Sequence, residues 1–298
     1  MRILVTGREG QLVRSLMDRA AGHPDLTLAA VGRPELDLAD PRTIAPAIAR
    51  HAPDLVINAA AYTAVDQAED EPELAQAVNG AAAGLIARAT AARCVPLIQI
   101  STDYVFDGAL DRPYREDDTV NPLSVYGASK LAGEEAVRRE NPDHLILRTA
   151  WVYSPYGRNF LKTMRKLAET RDEIPVVSDQ IGNPTSALDI ADGILAAIKA
   201  RRVRGPEGWG ATYHLAGTGE AGWHQFAEHI FRESTRLGGP SARVVPIATA
   251  DYPTKAPRPR NSRLSCERFS AVFGYQARHW REAVEEVIAQ LTNSEQSR

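Results

Sequence analysis

Five short apolar runs in the first half of the chain, several of them apolar on consecutive positions, constrain the fold more than any other feature. They are RILVTG (2–7), LTLAAV (26–31), DLVINAAA (54–61), PLIQIS (96–101) and HLILRTAWV (144–152). Alternating apolar and polar positions would mark a strand with one wet face, so continuous runs predict strands covered on both faces. Helical stretches separate them: QLVRSLMDRAA (11–21), PRTIAPAIARH (41–51), ELAQAVNGAAAGLIARATAAR (73–93) and one containing VYGASKLAGEE (125–135). Strands alternating with helices of this length predict an α/β fold, a Rossmann-type doubly wound parallel sheet.

At 298 residues the chain has room for a second, smaller domain. After residue 153 the pattern loosens into turns and short elements, with clear helices at 186–199 and 280–291. The helix at 186–199 and the strand TYHLAG (212–217) return to the main sheet in this reading. A dinucleotide-binding domain over 1–152 is thereby completed by 186–217, and 153–185 with 218–298 forms a discontinuous α/β substrate domain. The formal net charge of −3 gives no general attraction to nucleic acid or acidic membranes. No apolar run approaches the 18 residues of a membrane span, and the N-terminus lacks a leader pattern. Cys94 and Cys266 form no ligand-spaced pair, so no disulfide framework or metal site is expected. Both are read as packing residues in a cytoplasmic protein, and the basic run KARRVRG (199–205) as a solvated helix end.

The first strand ends in TGREGQL, with Gly7 and Gly10 ahead of a helix. Glycines here permit a tight turn and let backbone N–H groups approach a pyrophosphate at the helix N-terminus. A plain βα turn is the bland alternative, and Val13 occupies the place of the third glycine of a full fingerprint. The second strand ends in AAVGRPELD, with Arg33 and no carboxylate before Glu35. An arginine there accommodates a 2′-phosphate, which favours NADPH and leaves NADH possible; a surface loop charge is the other reading of Arg33.

Tyr126 and Lys130 are spaced i, i+4 and share a helix face. With nine Tyr and five Lys in the chain, about 0.15 chance matches to this spacing are expected, so position matters more than the motif. The helix follows the fourth strand, near the carboxyl edge where open α/β sheets bind ligands. A tyrosine is a poor acid–base catalyst at neutral pH unless a neighbouring ammonium stabilises the phenolate, which suits the pair to donating a proton to a carbonyl oxygen. The fourth strand ends ISTDYVFDG, so Ser101, Thr102, Asp103 and Tyr104 meet the same edge. A hydroxyl there can hydrogen-bond a substrate oxygen.

Taken in order, TGREGQL, NAAAYTAVDQAE, STDYVFDG, YGASK, RTAWVY, DQIGNPT and RPRNSRL resemble the extended short-chain dehydrogenase/reductases and, within them, the dTDP-4-dehydrorhamnose reductase family. The resemblance runs to about residue 290. It implies NAD(P)H-dependent reduction of the C4 ketone of a dTDP-linked 4-keto-6-deoxy sugar. It further implies Tyr126 as proton donor, Lys130 on the nicotinamide ribose and Thr102 on the sugar oxygen. Asp103, Tyr104 and Trp151 would contact substrate, and Arg258 and Arg260 would meet its diphosphate. Gly10, Gln11 and Leu12 would meet the cofactor pyrophosphate, Asp37 and Leu38 the adenine end, and Ala61, Tyr62 and Thr63 the side towards the nicotinamide.

Some members of this family dimerise through magnesium held by glutamates, one of them in the first helix. The corresponding residue here is Ser15, so the metal is not carried over and a homodimer stays open. A dehydratase or epimerase on the same fold is the first rival, but Thr102 is followed by Asp103 and Tyr104, without the Asp-Glu pair of the dehydratases. A non-catalytic subunit like the regulatory subunit of methionine adenosyltransferase is the second. It would have no need of an intact acid, cation and hydroxyl.

Overall fold

The computed structural model describes residues 1–296. Residues 297 and 298, the end of the expected segment 218–298, lie outside the described residues. Strands β1 (Arg2–Thr6), β2 (Thr27–Val31), β3 (Leu55–Asn58), β4 (Leu97–Thr102) and β5 (His144–Thr149) join a sixth, Ala211–His214, in one parallel sheet. The spatial order is Ala211–His214, β5, β4, β3, β1, β2.

The continuous apolar runs are split residue by residue between the two faces, because successive strand side chains point oppositely. Ile3, Val5, Ile57, Ile98 and Leu147 pack on one face with helix α1 (Gln11–Ala20), while Leu4, Val56, Leu97 and Ile146 pack on the other with α2 (Pro41–His51). The predicted helix at 73–93 is interrupted. After the short α3 (Val65–Ala68), α4 (Pro72–Ala75) passes through a π-helical turn, Gln76–Ala81, before α5 (Ala82–Ala91). Helix α6 (Val125–Glu140) carries Tyr126 and begins with Ser124 as N-cap, its hydroxyl accepting from the Gly127 N–H at 3.1 Å.

Helix α7 (Phe160–Ala168) starts from an Asn159 cap, and α8 (Ala187–Arg204) lies against the main sheet, contributing Ile190 and Ile194 to the α1 face. Helices α9 (Trp223–Arg236), α10 (Glu267–Phe273) and α11 (Trp280–Gln296) follow. A separate apolar cluster joins α7, α9 and α11 through Leu161, Phe226, Trp280 and Val284. Glu173–Val177 pairs in parallel with Arg243–Ile247 beside it.

Two expectations change. The run HLILRTAWV is not one strand: β5 ends at Thr149, Trp151 adopts a left-handed φ of 47°, and Val152–Tyr153 pairs instead with Thr185–Ser186. Cys94 is not a packing residue. It is exposed at φ 52° in the turn after α5, whereas Cys266 is half-buried and its thiol lies against the Ala216 backbone. The basic run does end a helix, with Arg201 paired to Asp143 and Arg202 to Asp25.

Candidate active site

At the carboxyl edge of the sheet a cleft of about 1360 Å³ opens between β1, β3, β4 and α6. Gly7 turns the chain at φ 98°, a conformation that side chains disfavour, and Gly10 N-caps α1 without a side-chain hydrogen bond. No acid lies in that first helical turn, so its backbone N–H groups are available to an anion. Val13 fills the place of the third glycine. Its Cγ2 lies 3.3 Å from where a Gly7 Cβ would be, and it is buried in the sheet-face core, so the helix and strand pack through a valine.

Gln11 and Leu12 line the cleft too. The Gln11 side-chain oxygen, Oε1, accepts from the Ser154 hydroxyl at 2.9 Å and from the Asn159 side-chain amide at 3.0 Å, which ties the glycine turn to the N-terminus of α7. Arg33 is exposed on the cleft wall with Arg8 and Arg158, while Glu35 is turned onto His51 and Arg50. Asp37 and Leu38 line the same cleft, with the Asp37 carboxylate accepting from the Ala39 N–H. Ala61, Tyr62 and Thr63 line it as well, and the Tyr62 hydroxyl donates to Glu71 at 2.8 Å. Glycine turn, uncapped helix start and three arginines together fit a phosphorylated dinucleotide.

Thr102, Asp103, Tyr104, Tyr126 and Lys130 converge on this cleft. Burial pushes the Tyr126 phenol up to about 12, opposed by a hydrogen bond with Thr102 and reinforced by the charge of Asp103. Lys130 is buried, and its Nζ donates to the Ile100 carbonyl at 2.6 Å. Loss of solvent pulls that ammonium down to about 8, with Glu134 acting the other way. The expected lowering of Tyr126 by Lys130 is absent, because the ammonium points to the backbone of β4 and burial dominates the phenol. Burial likewise raises Asp103 to about 6, against the hydroxyls of Ser262 and Thr102; its Oδ1 accepts from Thr102 at 2.9 Å.

Tyr104 and Trp151 line both this cleft and a second cavity of about 660 Å³, so the two spaces meet there. Trp151 stacks on Trp223 with centroids 3.6 Å apart, and Phe160 packs against Trp223 at 4.6 Å. Arg258 lines the second cavity, with its guanidinium 5.8 Å from the Tyr104 ring centroid. Arg260, expected beside it, is exposed and lines neither cavity.

Sequence reasoning missed three supports of this site. Asn79, in the π-helical turn, accepts from the Tyr62 N–H and donates to Ser129 of α6. Glu134, fully buried, accepts from Ser101 at 2.6 Å and twice from Arg148, at 2.9 and 2.7 Å. Trp223 comes from a helix start with no motif. At the place that the resemblance links to metal, Ser15 is buried, and Arg19 and Arg278 stand among Asp189, Asp192 and Glu286. Among the described residues His229, Glu233 and Glu285 bring ligand atoms within 4.8 Å of one another, but Arg232 already contacts His229, Arg236 pairs with Glu233, and none of the three lines either cavity.

A parallel sheet with a glycine-turned helix start, and a tyrosine and lysine on one helix beside a strand-end threonine, defines an oxidoreductase fold of the short-chain dehydrogenase/reductase class. The sequence profile described as RmlD substrate binding domain matches residues 1–293. A dTDP-4-dehydrorhamnose reductase of Sinorhizobium fredii is 46% identical over 288 residues, 97% of each chain. A crystal structure of a dTDP-4-dehydrorhamnose reductase from Clostridium acetobutylicum superposes with a TM-score of 0.90 at 37% identity, covering 98% of this chain and 99% of that one. Another from Bacillus anthracis, in complex with NADP, gives 0.89 at 33% identity, covering 97% and 99%. The chain belongs to the dTDP-4-dehydrorhamnose reductase family.

Proposed function

We propose that this chain reduces the C4 ketone of dTDP-4-dehydro-L-rhamnose to dTDP-L-rhamnose with NADPH. The observation that carries the reading is the meeting of the two cavities at Tyr104 and Trp151, with Thr102, Tyr126 and Lys130 on the wall beside them. Gly7, Gly10 and the start of α1 would hold the cofactor phosphates, and Arg33 the 2′-phosphate. When bound, the nicotinamide supplies the hydride.

Tyr126 remains a neutral phenol across the working pH range and gives its proton to the ketone oxygen. Thr102, hydrogen-bonded to that phenol, orients the same oxygen. The Lys130 ammonium, anchored on Ile100, supplies the positive charge that a developing phenolate needs. Asp103 and Tyr104 would border the sugar, and Trp151 would stack against it. Arg258 would meet the diphosphate.

Domain boundaries as read from the sequence, and a cytoplasmic location, are part of the same proposal. No helix of the described residues is long and apolar enough to cross a membrane, and both cysteines are free. The test follows NADPH and NADH consumption with dTDP-4-dehydro-6-deoxyglucose supplied together with its 3,5-epimerase. Consumption that requires the epimerase and yields dTDP-L-rhamnose supports the reading; none, with nucleotide still bound, overturns it.

A further inference from the structure

Arg258 is held by Asp66, which lies within the stretch NAAAYTAVDQAE but was given no role in the sequence reading. The Asp66 carboxylate accepts from Arg258 Nη2 at 2.6 Å through one oxygen and from the Ala256 N–H at 3.1 Å through the other. Lys255 pairs with Asp70 beside it, so two ion pairs clamp the segment 255–258 onto the turn containing α3. Arg258 Nη1 is buried and has no hydrogen-bond partner among the described residues. Asp66, Lys255 and Arg258 all line the second cavity. A guanidinium is a rigid planar fork, so fixing Nη2 on a carboxylate fixes the direction of Nη1.

The other end of the Asp66 turn follows directly on Ala61, Tyr62 and Thr63, which line the dinucleotide cleft. Asn79 holds Tyr62 and reaches Ser129, whose hydroxyl donates to the Tyr126 carbonyl. One short segment therefore touches the cofactor cleft, the tyrosine helix and the arginine of the second cavity.

We propose that Asp66 is a positioning residue that presents Arg258 Nη1 to the diphosphate of the nucleotide sugar and couples that contact to occupancy of the dinucleotide cleft. This inference rests on the proposed function. A cofactor that orders the loop 61–63 fixes the turn from which Asp66 projects, so each ligand strengthens binding of the other, and by linkage to the same degree. Asp66 does not touch the reacting atoms, so its loss appears in affinity and KM more than in kcat.

The experiment titrates dTDP into the full-length protein by calorimetry, with and without saturating NADP+, for wild type, Asp66→Asn, Asp66→Glu, Arg258→Ala and the Asp66→Asn, Arg258→Ala double variant. We expect Asp66→Asn to weaken dTDP binding about tenfold, the scale of one charge-assisted contact, and to abolish the gain in dTDP affinity that NADP+ gives the wild type. NADP+ affinity alone and kcat stay within about threefold, Asp66→Glu restores most of the loss, and Asp66→Asn adds nothing in the Arg258→Ala background, as expected for residues acting through one another. Unchanged dTDP affinity in Asp66→Asn, an equal fall in NADP+ affinity, or additivity in the double variant would overturn the inference and leave the proposed function standing. A wild type that binds NADP+ but not dTDP would overturn both.

Discussion

Tyr126 and Lys130 are each shifted by burial towards their neutral forms, and this sets the pH range in which the pair can work. The phenol stays protonated to about 12, while the ammonium, brought down to about 8, is cationic below that value and neutral above it. We expect kcat/KM to fall as pH rises through about 8, and the limb to move above pH 9 in Lys130→Arg, measured as pH profiles on the two proteins. Tyr126→Phe removes the proton donor alone; turnover should drop by roughly a hundredfold or more while NADPH binding, followed by fluorescence, is retained. Asp103 is shifted in the same sense. Its folded carboxyl titrates near 6 against an ordinary 3.8, so the folded chain holds the extra proton in that interval and stability falls as pH rises from about 4 to about 6. Chemical denaturation should find Asp103→Asn lacking that decline and more stable than wild type at pH 7 by about 3 kcal/mol.

Two helix glycines set how closely the tyrosine helix approaches its neighbours. A Cβ at Gly127 would lie 2.2 Å from the Tyr104 carbonyl oxygen, and one at Gly133 would lie 2.2 Å from that of Asn79. Gly127→Ala should therefore lever α6 away from β4, costing about 3 kcal/mol in thermal unfolding and lowering turnover with Tyr126 itself intact. The motif residues of α6 were readable from their order, but their supports were not. Glu134 and Glu135 are adjacent and chemically alike, and only the packed structure shows that Glu134 goes inward to Arg148 while its neighbour does not. Likewise, 3.6-residue periodicity over 73–93 predicts one helix, because the stretch around the π-helical turn is so rich in Ala and Gly that the roughly 100° rotation caused by one extra residue leaves no visible break in the apolar pattern. That turn is what aims Asn79 at Tyr62.

The parallel sheet was legible because the burial of both faces leaves a direct trace, runs such as RILV and LVIN whose neighbours divide between two cores. The second cavity left no such trace: Trp151, Phe160 and Trp223 meet from three separated segments, and no local pattern encodes their contact. Replacing Trp223 with Ala should raise KM for the nucleotide sugar about tenfold while KM for NADPH holds, read from steady-state kinetics under saturation of the other substrate, since a stacked aromatic contributes on the order of 1 kcal/mol beyond its buried area. The two thiols offer a different use of the same architecture. Cys94 sits in the turn that leads into β4, at the amino end of the sheet and therefore across the molecule from the cleft, whereas Cys266 is held protonated by burial, its thiol pushed up to about 12. A maleimide dye should accordingly modify the folded chain once and the denatured chain twice, giving a fluorescent handle that leaves the catalytic edge unobstructed.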